Sequence, residues 1–183
     1  VERPEIQPTV HRTGTGTRVK RHDLVIVGGG TAGLVSGMVA GWAGARVALI
    51  EAERTGGDCL WTGCVPSKSL IAAAELAQQI REGAALGVSA DEPTVDFAQV
   101  MSHVYASREL NAPHESPDRL REAGVEYVEG RAREGGPGRI DVDGTELRRR
   151  TSLLATGSRP APPPVPGLPE CDPLTSDTDR DLT

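Results

Sequence analysis

One run of glycines constrains the fold of this chain more than any other feature. The segment GGGTAG at residues 28–33 satisfies the pattern G-x-G-x-x-G, and four apolar residues at 24–27 precede it directly. A short apolar run that ends in glycines is typical of a parallel strand buried on both faces. We therefore predict a strand at 24–27, a tight turn at the glycines and a helix over 31–43.

The predicted helix carries three glycines on one face. Gly33, Gly37 and Gly41 are spaced at i, i+4 and i+8, so the missing side chains let the helix approach a neighbouring element closely. A second strand is expected at 46–51, which completes a β-α-β unit.

The β-α-β unit predicts a dinucleotide site. Its glycine turn would bring backbone amides and the helix N-terminus against a pyrophosphate. Glu51 ends the second strand 21 residues after Gly30, where its carboxylate would accept a ribose hydroxyl. The alternative is a glycine-rich turn with a structural glutamate, and the pattern alone does not choose between FAD and a nicotinamide nucleotide. The residues expected to bind the nucleotide are Gly28, Gly30, Thr31, Ala32, Gly33 and Glu51.

Composition excludes several classes of protein. The net charge of −6 argues against nucleic-acid binding, which needs clustered cations. No apolar run approaches the ~20 residues of a membrane span, so we expect no membrane partner. The three cysteines are too few for a secreted disulfide framework, which favours a cytoplasmic location.

The 183 residues divide into three parts. Residues 1–22 are rich in Pro, Gly and Thr and are predicted to be a flexible lead-in, with a transit peptide as the weaker alternative. An ordered domain is expected at 23–159. Residues 160–183 contain seven prolines and are predicted to be a linker.

Within the ordered domain, further elements follow the β-α-β unit. Helices are predicted at 67–82 and 95–110, and a short helix is capped by Ser116 and stopped by Gly124. Strands are predicted at 125–129, at 139–143 and 145–149 around an Asp-Gly hairpin turn, and at 152–155. The expected fold class is α/β, with a parallel sheet and a small antiparallel β-meander.

The spacing of Cys59 and Cys64 limits what this pair can do. Five residues of an unbroken helix advance about 500° and separate the Cα atoms by about 8.6 Å. A disulfide needs no more than ~7 Å, so bridging requires a distorted backbone, which Gly63 would permit. Two buried thiols are the alternative. We predict no metal site, because C-x4-C has no second pair nearby and the histidines are isolated.

Three segments together resemble the class I pyridine nucleotide-disulfide oxidoreductases, a family that includes dihydrolipoamide dehydrogenase, glutathione reductase and mercuric reductase. These are GGDCLWTGCVPSKSL at 56–70, the glycine turn at 28–33 and ATG at 155–157. The resemblance implies a Rossmann-like FAD-binding domain at 23–159. It also implies that electrons pass from NAD(P)H through FAD to a redox-active Cys59/Cys64 disulfide, then to a small-molecule thiol, disulfide or metal-ion substrate, in cell redox homeostasis.

The resemblance also assigns roles to single residues. Cys59 would be the interchange thiol that meets substrate, and Cys64 the thiol that contacts the flavin. Lys68 matches a lysine near the flavin N5, although a solvated helix residue is the alternative. The other positions implied to contact the cofactor are Gly57, Asp58, Gly130, Arg131, Ala132, Ala155, Thr156 and Gly157.

Four further residues could suggest other roles. Trp61 and Thr62 replace the Asn-Val that commonly separates the cysteines, which leaves the substrate open. We interpret His114 as a loop histidine before a helix cap rather than a general base. Cys171 is interpreted as an incidental thiol.

The family's second glycine loop is not expected in this chain, because Gly167 is the only glycine after Gly157. The NAD(P)H site and the homodimer interface domain would then be missing, and the FAD domain itself would be incomplete at its C-terminal end. One hypothesis is that the chain is the N-terminal part of a disulfide oxidoreductase, which by itself does not oxidise NAD(P)H. The alternatives are a non-catalytic flavin-binding module and a different FAD enzyme.

Overall fold

The computed structural model describes residues 20–176 and 178, which form an α/β fold. The helices and strands are β1 (Arg21–Val27), α1 (Thr31–Trp42), β2 (Val47–Glu51), α2 (Gly57–Trp61), α3 (Cys64–Glu82), α4 (Phe97–Asn111), α5 (Pro117–Glu122), β3 (Val125–Glu129), β4 (Ala132–Glu134), β5 (Arg139–Val142) and β6 (Thr145–Leu154). Single turns of 3₁₀ helix lie at Gly83–Leu86, Ala112–Glu115 and Pro169–Cys171.

These strands make one six-stranded sheet in the order β3-β2-β1-β6-β5-β4. The pairs β2–β3, β1–β2 and β1–β6 are parallel, while β5–β6 and β4–β5 are antiparallel. The predicted combination of a parallel sheet with a small antiparallel meander is therefore confirmed.

Strand β6 joins the two parts of the sheet. Its first residues pair antiparallel with β5, for example Arg148 with Arg139, and its last residues pair parallel with β1, for example Leu154 with Val27. The prediction of two strands at 145–149 and 152–155 is wrong, because one strand spans both. No Gly or Pro lies between residues 145 and 154 to interrupt it.

Several predicted boundaries also change. Strand β1 begins at Arg21, two residues before the expected start of the ordered domain, and α3 begins at Cys64 rather than at 67. The short elements α2 and β4 were not predicted. Ser116 caps α5, as predicted. The cap of α4 was not predicted: the Asp96 carboxylate accepts a hydrogen bond from the N–H of Gln99.

The chain ends lie largely outside what the structure describes. Of the predicted lead-in, residues 1–19 fall outside the described residues, as do 177 and 179–183 of the predicted linker. Residues 160–176 contain one 3₁₀ turn and no strand. No helix in the described part of the chain is long and apolar enough to cross a bilayer.

Alternate residues of β1 and β2 fill two separate cores, one on each face of the sheet. Ile26 and Leu49 pack with Leu34 of α1 and Leu120 of α5. Their neighbours Val25, Ala48 and Ile50 pack with Ile140, Val142 and Leu147 of the meander. Burial on both faces explains why these strands are unbroken apolar runs.

The glycine face of α1 lies against backbone. A Cβ atom at Gly33 would overlap the carbonyl oxygen of Gly28, and one at Gly41 would overlap that of Ala123. At Gly37, by contrast, the nearest atom to an added Cβ is Cδ1 of Ile26 at 3.4 Å, an ordinary contact. The two ends of the helix therefore require glycine, and its middle does not.

We predict opposite effects on stability for alanine at two positions of this face. Gly41→Ala should lower the free energy of unfolding by about 1–3 kcal/mol, because overpacking displaces α1 from Ala123. Gly37→Ala should leave it unchanged or raise it by up to about 1 kcal/mol, because alanine favours the helix. Urea unfolding measures both, and equal losses in the two variants would contradict the prediction.

Candidate functional site

A cavity of about 1000 Å³ opens where the parallel strands end at their carboxyl termini. This edge, at the switch in strand order, is where ligands bind in open α/β sheets. The cavity is lined by these sequence-predicted site residues: Gly28, Gly30, Thr31, Ala32, Glu51, Gly57, Asp58, Cys59, Gly130, Arg131, Ala132, Ala155, Thr156 and Gly157. Of the remaining predicted residues, Gly33, Cys64 and Lys68 do not line it.

The glycine turn is held by backbone hydrogen bonds to both neighbouring elements. The N–H of Gly28 donates to the carbonyl of Ile50 at 2.8 Å, and the N–H of Gly56 donates to the carbonyl of Gly29 at 2.9 Å. Gly28 has a φ of +108°, and a Cβ there would overlap the carbonyl oxygen of Ala155. Only glycine permits this conformation and this approach.

The first turn of α1 presents free backbone donors to the cavity. The N-cap residue Gly30 supplies no side-chain acceptor for the N–H groups of this turn. Such groups have no partner within the helix and carry its positive dipole end. Gly30 has no side chain, and the nearest atom to an added Cβ would be Cα of Gly57 at 3.8 Å. An anionic group can therefore approach the backbone closely here.

The carboxylate of Glu51, at the end of β2, holds the glycine turn in place by hydrogen bonds. Its Oε2 accepts the N–H of Gly29 at 2.5 Å, and its Oε1 accepts the N–H of Glu53 at 2.8 Å. A carboxylate has about four lone-pair positions, so each oxygen retains acceptor capacity for a hydroxyl group of a ligand.

The helix breaks between the two cysteines, as their spacing requires for a bridge. Helix α2 ends at Trp61 and α3 begins at Cys64. Gly63 takes a φ of −116° and a ψ of −101°, and its N–H donates to the carbonyl of Asp58 at 2.5 Å. An added Cβ at Gly63 would lie 2.9 Å from that same oxygen, which explains the glycine.

Both cysteines are free thiols in the structure, and the two side chains interact. Cys59 is half-buried and also meets the hydroxyl of Thr31, whereas Cys64 is exposed at the first residue of α3. The interaction with Cys64, and then burial, raise the pKa of the Cys59 thiol, while the Thr31 hydroxyl opposes that rise. The negative charge of Glu115 raises the pKa of Cys59 further.

Trp61 fixes the segment between the cysteines. Its Nε1 donates to the carbonyl of Thr55 at 2.7 Å, and the guanidinium of Arg54 stacks over its ring at 4.0 Å. Its own carbonyl accepts Nη1 of Arg108 at 3.1 Å, which ties α2 to α4. The indole and Arg54 both line the cavity.

Some residues singled out in the sequence lie apart from the cavity. Lys68 is exposed on α3, one turn beyond Cys64. His114 and Cys171 are exposed as well. Among residues 20–176 and 178, no three His, Cys, Asp or Glu side chains converge as metal ligands.

Sequence analysis did not identify two residues near the cysteine pair, Arg54 and Glu115. Arg54 carries no motif, and its stacking on Trp61 depends on the fold of the intervening turn. Glu115 follows a loop histidine, and no spacing relates it to Cys59. Its Oε2 is buried without a hydrogen-bond partner, and burial raises the pKa of this carboxyl group.

Comparisons with known proteins agree with this geometry. The family described as "Pyridine nucleotide-disulphide oxidoreductase" matches residues 22–182. A glutathione reductase from Burkholderia cepacia is 36% identical over 146 residues, which are 79% of this chain and 32% of that protein. A mercuric reductase from Staphylococcus aureus is 31% identical over 161 residues, or 88% of this chain and 29% of that protein.

A solved structure shows the same likeness. The HOCl-induced flavoprotein disulfide reductase RclA from Escherichia coli aligns with a TM-score of 0.62 and 26% identity. The alignment covers 81% of this chain and 31% of that one. The chain thus spans about a third of the length of the relatives that it matches.

We predict that two substitutions move the reactivity of Cys59 in opposite directions. Cys64→Ala removes the largest cause of the raised pKa of Cys59 and should shift its alkylation profile to lower pH, because the thiolate is the reacting form. Thr31→Val removes a contact that lowers this pKa and should shift the profile to higher pH.

Iodoacetamide rates measured by mass spectrometry of the Cys59 peptide test this. Cys171, in the same samples, serves as the reference for reagent quality. Shifts in the same direction for the two variants would contradict the arrangement of side chains around Cys59.

Proposed function

The chain belongs to the pyridine nucleotide-disulphide oxidoreductase family, and on that premise we propose that its described part binds FAD and carries a redox-active cysteine pair. Cys59 and Cys64 would exchange an electron pair with a small-molecule thiol, disulfide or metal-ion substrate. One observation supports this most strongly: Cys59 lines the same cavity as the glycine turn, and its thiol interacts with that of Cys64 across the break between α2 and α3.

The residues present fit FAD. The free N–H groups of the first turn of α1 suit a pyrophosphate, and the remaining lone pairs of Glu51 suit a ribose hydroxyl. Backbone of Gly130, Arg131 and Ala132, at the end of β3, lines the part of the cavity proposed for the adenine. The likeness to a protein described as a flavoprotein favours FAD over a nicotinamide nucleotide at this turn.

When bound, FAD would be the carrier that exchanges two electrons with the cysteine pair. Lys68 lies four residues after Cys64, so it occupies the same face of α3 one turn away. We propose it as the cation beside the flavin ring. Cys64 is the first residue of α3, where the positive end of the helix dipole lies.

For a disulfide substrate, the cysteine pair would act in two exchanges. The Cys59 thiolate attacks one substrate sulfur, the substrate S–S bond breaks, and the first product thiolate leaves with its electron pair. The Cys64 thiolate then attacks the Cys59 sulfur, which releases the second product thiolate and leaves a Cys59–Cys64 disulfide. Two electrons have passed to the substrate, and each product thiolate takes a proton from water.

The activity of a full-length relative needs more than the residues described here. We propose NAD(P)H as the electron source, a homodimer as the assembly and the cytoplasm as the location of that whole protein. A reducing compartment is where a catalytic dithiol is kept in working balance with its disulfide.

We predict that Gly30→Ala weakens FAD binding without weakening the fold. An added Cβ meets no atom closer than 3.8 Å, so the free energy of unfolding should stay within about 0.5 kcal/mol of the parent. The methyl group would nevertheless stand where a pyrophosphate must approach, and the FAD dissociation constant should rise about tenfold or more.

Gly33→Ala is the matched control on the same turn. It should lower the free energy of unfolding by about 1–3 kcal/mol, because its Cβ overlaps Gly28. Flavin fluorescence titration and urea unfolding provide the two measurements. Unchanged FAD affinity in Gly30→Ala would contradict a pyrophosphate at this turn.

We predict that anaerobic dithionite titration of the FAD-loaded chain takes up about four electrons per FAD, two for the flavin and two for the disulfide. Cys59→Ser and Cys64→Ser should each reduce the uptake to about two, because neither variant can form the disulfide. Cys171→Ser, which alters an exposed thiol outside the cavity, should retain about four. Uptake of two by the flavin-loaded parent would favour a non-catalytic flavin-binding module.

A further inference from the structure

Three arginines form a row across the sheet at the edge opposite to the cavity. Arg21 begins β1 and pairs in register with Arg148 of β6, and Arg148 pairs in register with Arg139 of β5. Residues paired in register on adjacent strands share a face, with Cβ atoms about 4.5–5.5 Å apart. Like charges placed directly opposite each other destabilise a sheet, so this row requires an explanation.

The acidic residues nearby do not neutralise the row. Glu146 accepts Nε of Arg148 at 2.9 Å, and its other oxygen lies 3.7 Å from Nη1 of Arg139. Arg21 makes no ion pair or hydrogen bond through its side chain to any described residue. Asp141 pairs in register with Glu146 and so shares this face, but its Oδ1 accepts the N–H of Gly144 and it makes no ion pair with the row. Among the described residues, Glu146 is the one carboxylate paired with the row, so three guanidinium groups share a single partner.

Asp23, the next acid along this face of β1, is already engaged. Its carboxylate accepts Nη2 of Arg46 at 2.9 Å and both the Nε and the backbone N–H of that residue at 3.1 Å. The side-chain hydrogen bond from Arg46 lowers the pKa of Asp23 to about 2. Asp23 therefore balances Arg46 and not the arginine row.

A concave site of about 510 Å³ accompanies the row. It is lined by Arg21, Pro137, Gly138, Arg139, Arg148 and Arg149. The turn at its side is anchored, because the N–H of Arg149 donates to the carbonyl of Gly138 at 2.9 Å. Nη2 of Arg149 donates a hydrogen bond to Oε1 of Glu134 at 2.7 Å.

We propose that Arg21, Arg139 and Arg148 bind the dianionic phosphate group of a small molecule. Guanidinium groups match phosphate oxygens with paired, charge-assisted hydrogen bonds. A phosphate monoester carries close to two negative charges at neutral pH, which equals the charge left unpaired in the row. The site lies at the amino end of β1, whereas the glycine turn follows its carboxyl end, so the proposal stands apart from the function proposed above.

The test is a titration of the full 183-residue chain with inorganic phosphate at constant ionic strength, followed by amide and arginine Nε NMR signals. Saturable shifts are expected at the amides of Gly138 and Arg149 and at Nε of Arg148. Arg21→Gln and Arg148→Gln should each raise the phosphate dissociation constant about tenfold or more. Arg133→Gln is the matched control, because Arg133 is exposed on β4 and makes no ion pair within the described part.

Thermal unfolding separates binding from folding. Phosphate should raise the unfolding midpoint of the parent and of Arg133→Gln, because a ligand stabilises the state that it binds. Without phosphate, Arg21→Gln should unfold at the same temperature as the parent or higher, since it relieves repulsion between like charges. With phosphate, that variant should show no gain.

Four outcomes of the phosphate titrations would overturn the proposal. They are the absence of saturable shifts, shifts confined to the amides of residues 28–33, equal phosphate affinity in the parent and Arg148→Gln, and the same loss in Arg133→Gln. Co-sedimentation with phosphatidic acid vesicles is the last arm. Binding to those vesicles with no response to free phosphate would assign the phosphate group to a lipid and overturn a small-molecule site.

Discussion

The close approach of α1 to the backbone of its neighbours is the constraint on which the site depends. Gly33 lies against the carbonyl of Gly28, Gly28 against that of Ala155, and Gly41 against that of Ala123. Each contact would be lost if a side chain intervened. Together they bring the first turn of α1 to the ends of β1 and β6, where its N–H groups face the cavity.

The cysteine pair and the glycine turn meet at one residue. Thr31 is the first residue of α1, so its backbone belongs to the turn that lines the cavity, while its hydroxyl lowers the pKa of Cys59. A change in the position of α1 therefore alters both the shape of the cavity at the glycine turn and the pKa of the Cys59 thiol. Trp61 keeps the other side of the pair in place through Arg54 and Arg108.

Local sequence patterns predicted the β-α-β unit well. They gave wrong strand and helix boundaries where residues far apart in the sequence determine the structure. The apolar run, the glycine turn and the cap at Ser116 are short-range features, and the structure has them where the sequence indicated. The continuity of β6 depends on two different partners, β5 and β1, which no local window contains. Helix α3 begins earlier than predicted because Gly63 bonds back to Asp58 and frees Cys64 to start a new helix.

The same division holds for the site. The glycine turn, residues 130–132 and residues 155–157 converge on one cavity because each segment follows the carboxyl end of a strand, which a sequence can indicate. Residues 57–59 reach the same cavity from α2. Glu115 and Arg54 reach the dithiol region through the packing of loops, for which the sequence carries no periodic signal. Lys68, assigned by resemblance alone, lies exposed outside the cavity lining, and its proposed role depends on the ligand itself.

Strand β1 cannot pair with β6 until the ribosome has synthesised β6, so this part of the sheet forms late. Val27 pairs with Leu154, and every other pair in that ladder has the same separation of 127 residues. A ribosome adds about 5–20 residues per second, so β1 waits for several seconds before its partner emerges. Until then Gly28 has no Ala155 to pack against, and the turn stays open on that side. The cavity at the glycine turn is thus among the last parts of the described chain to be completed during synthesis.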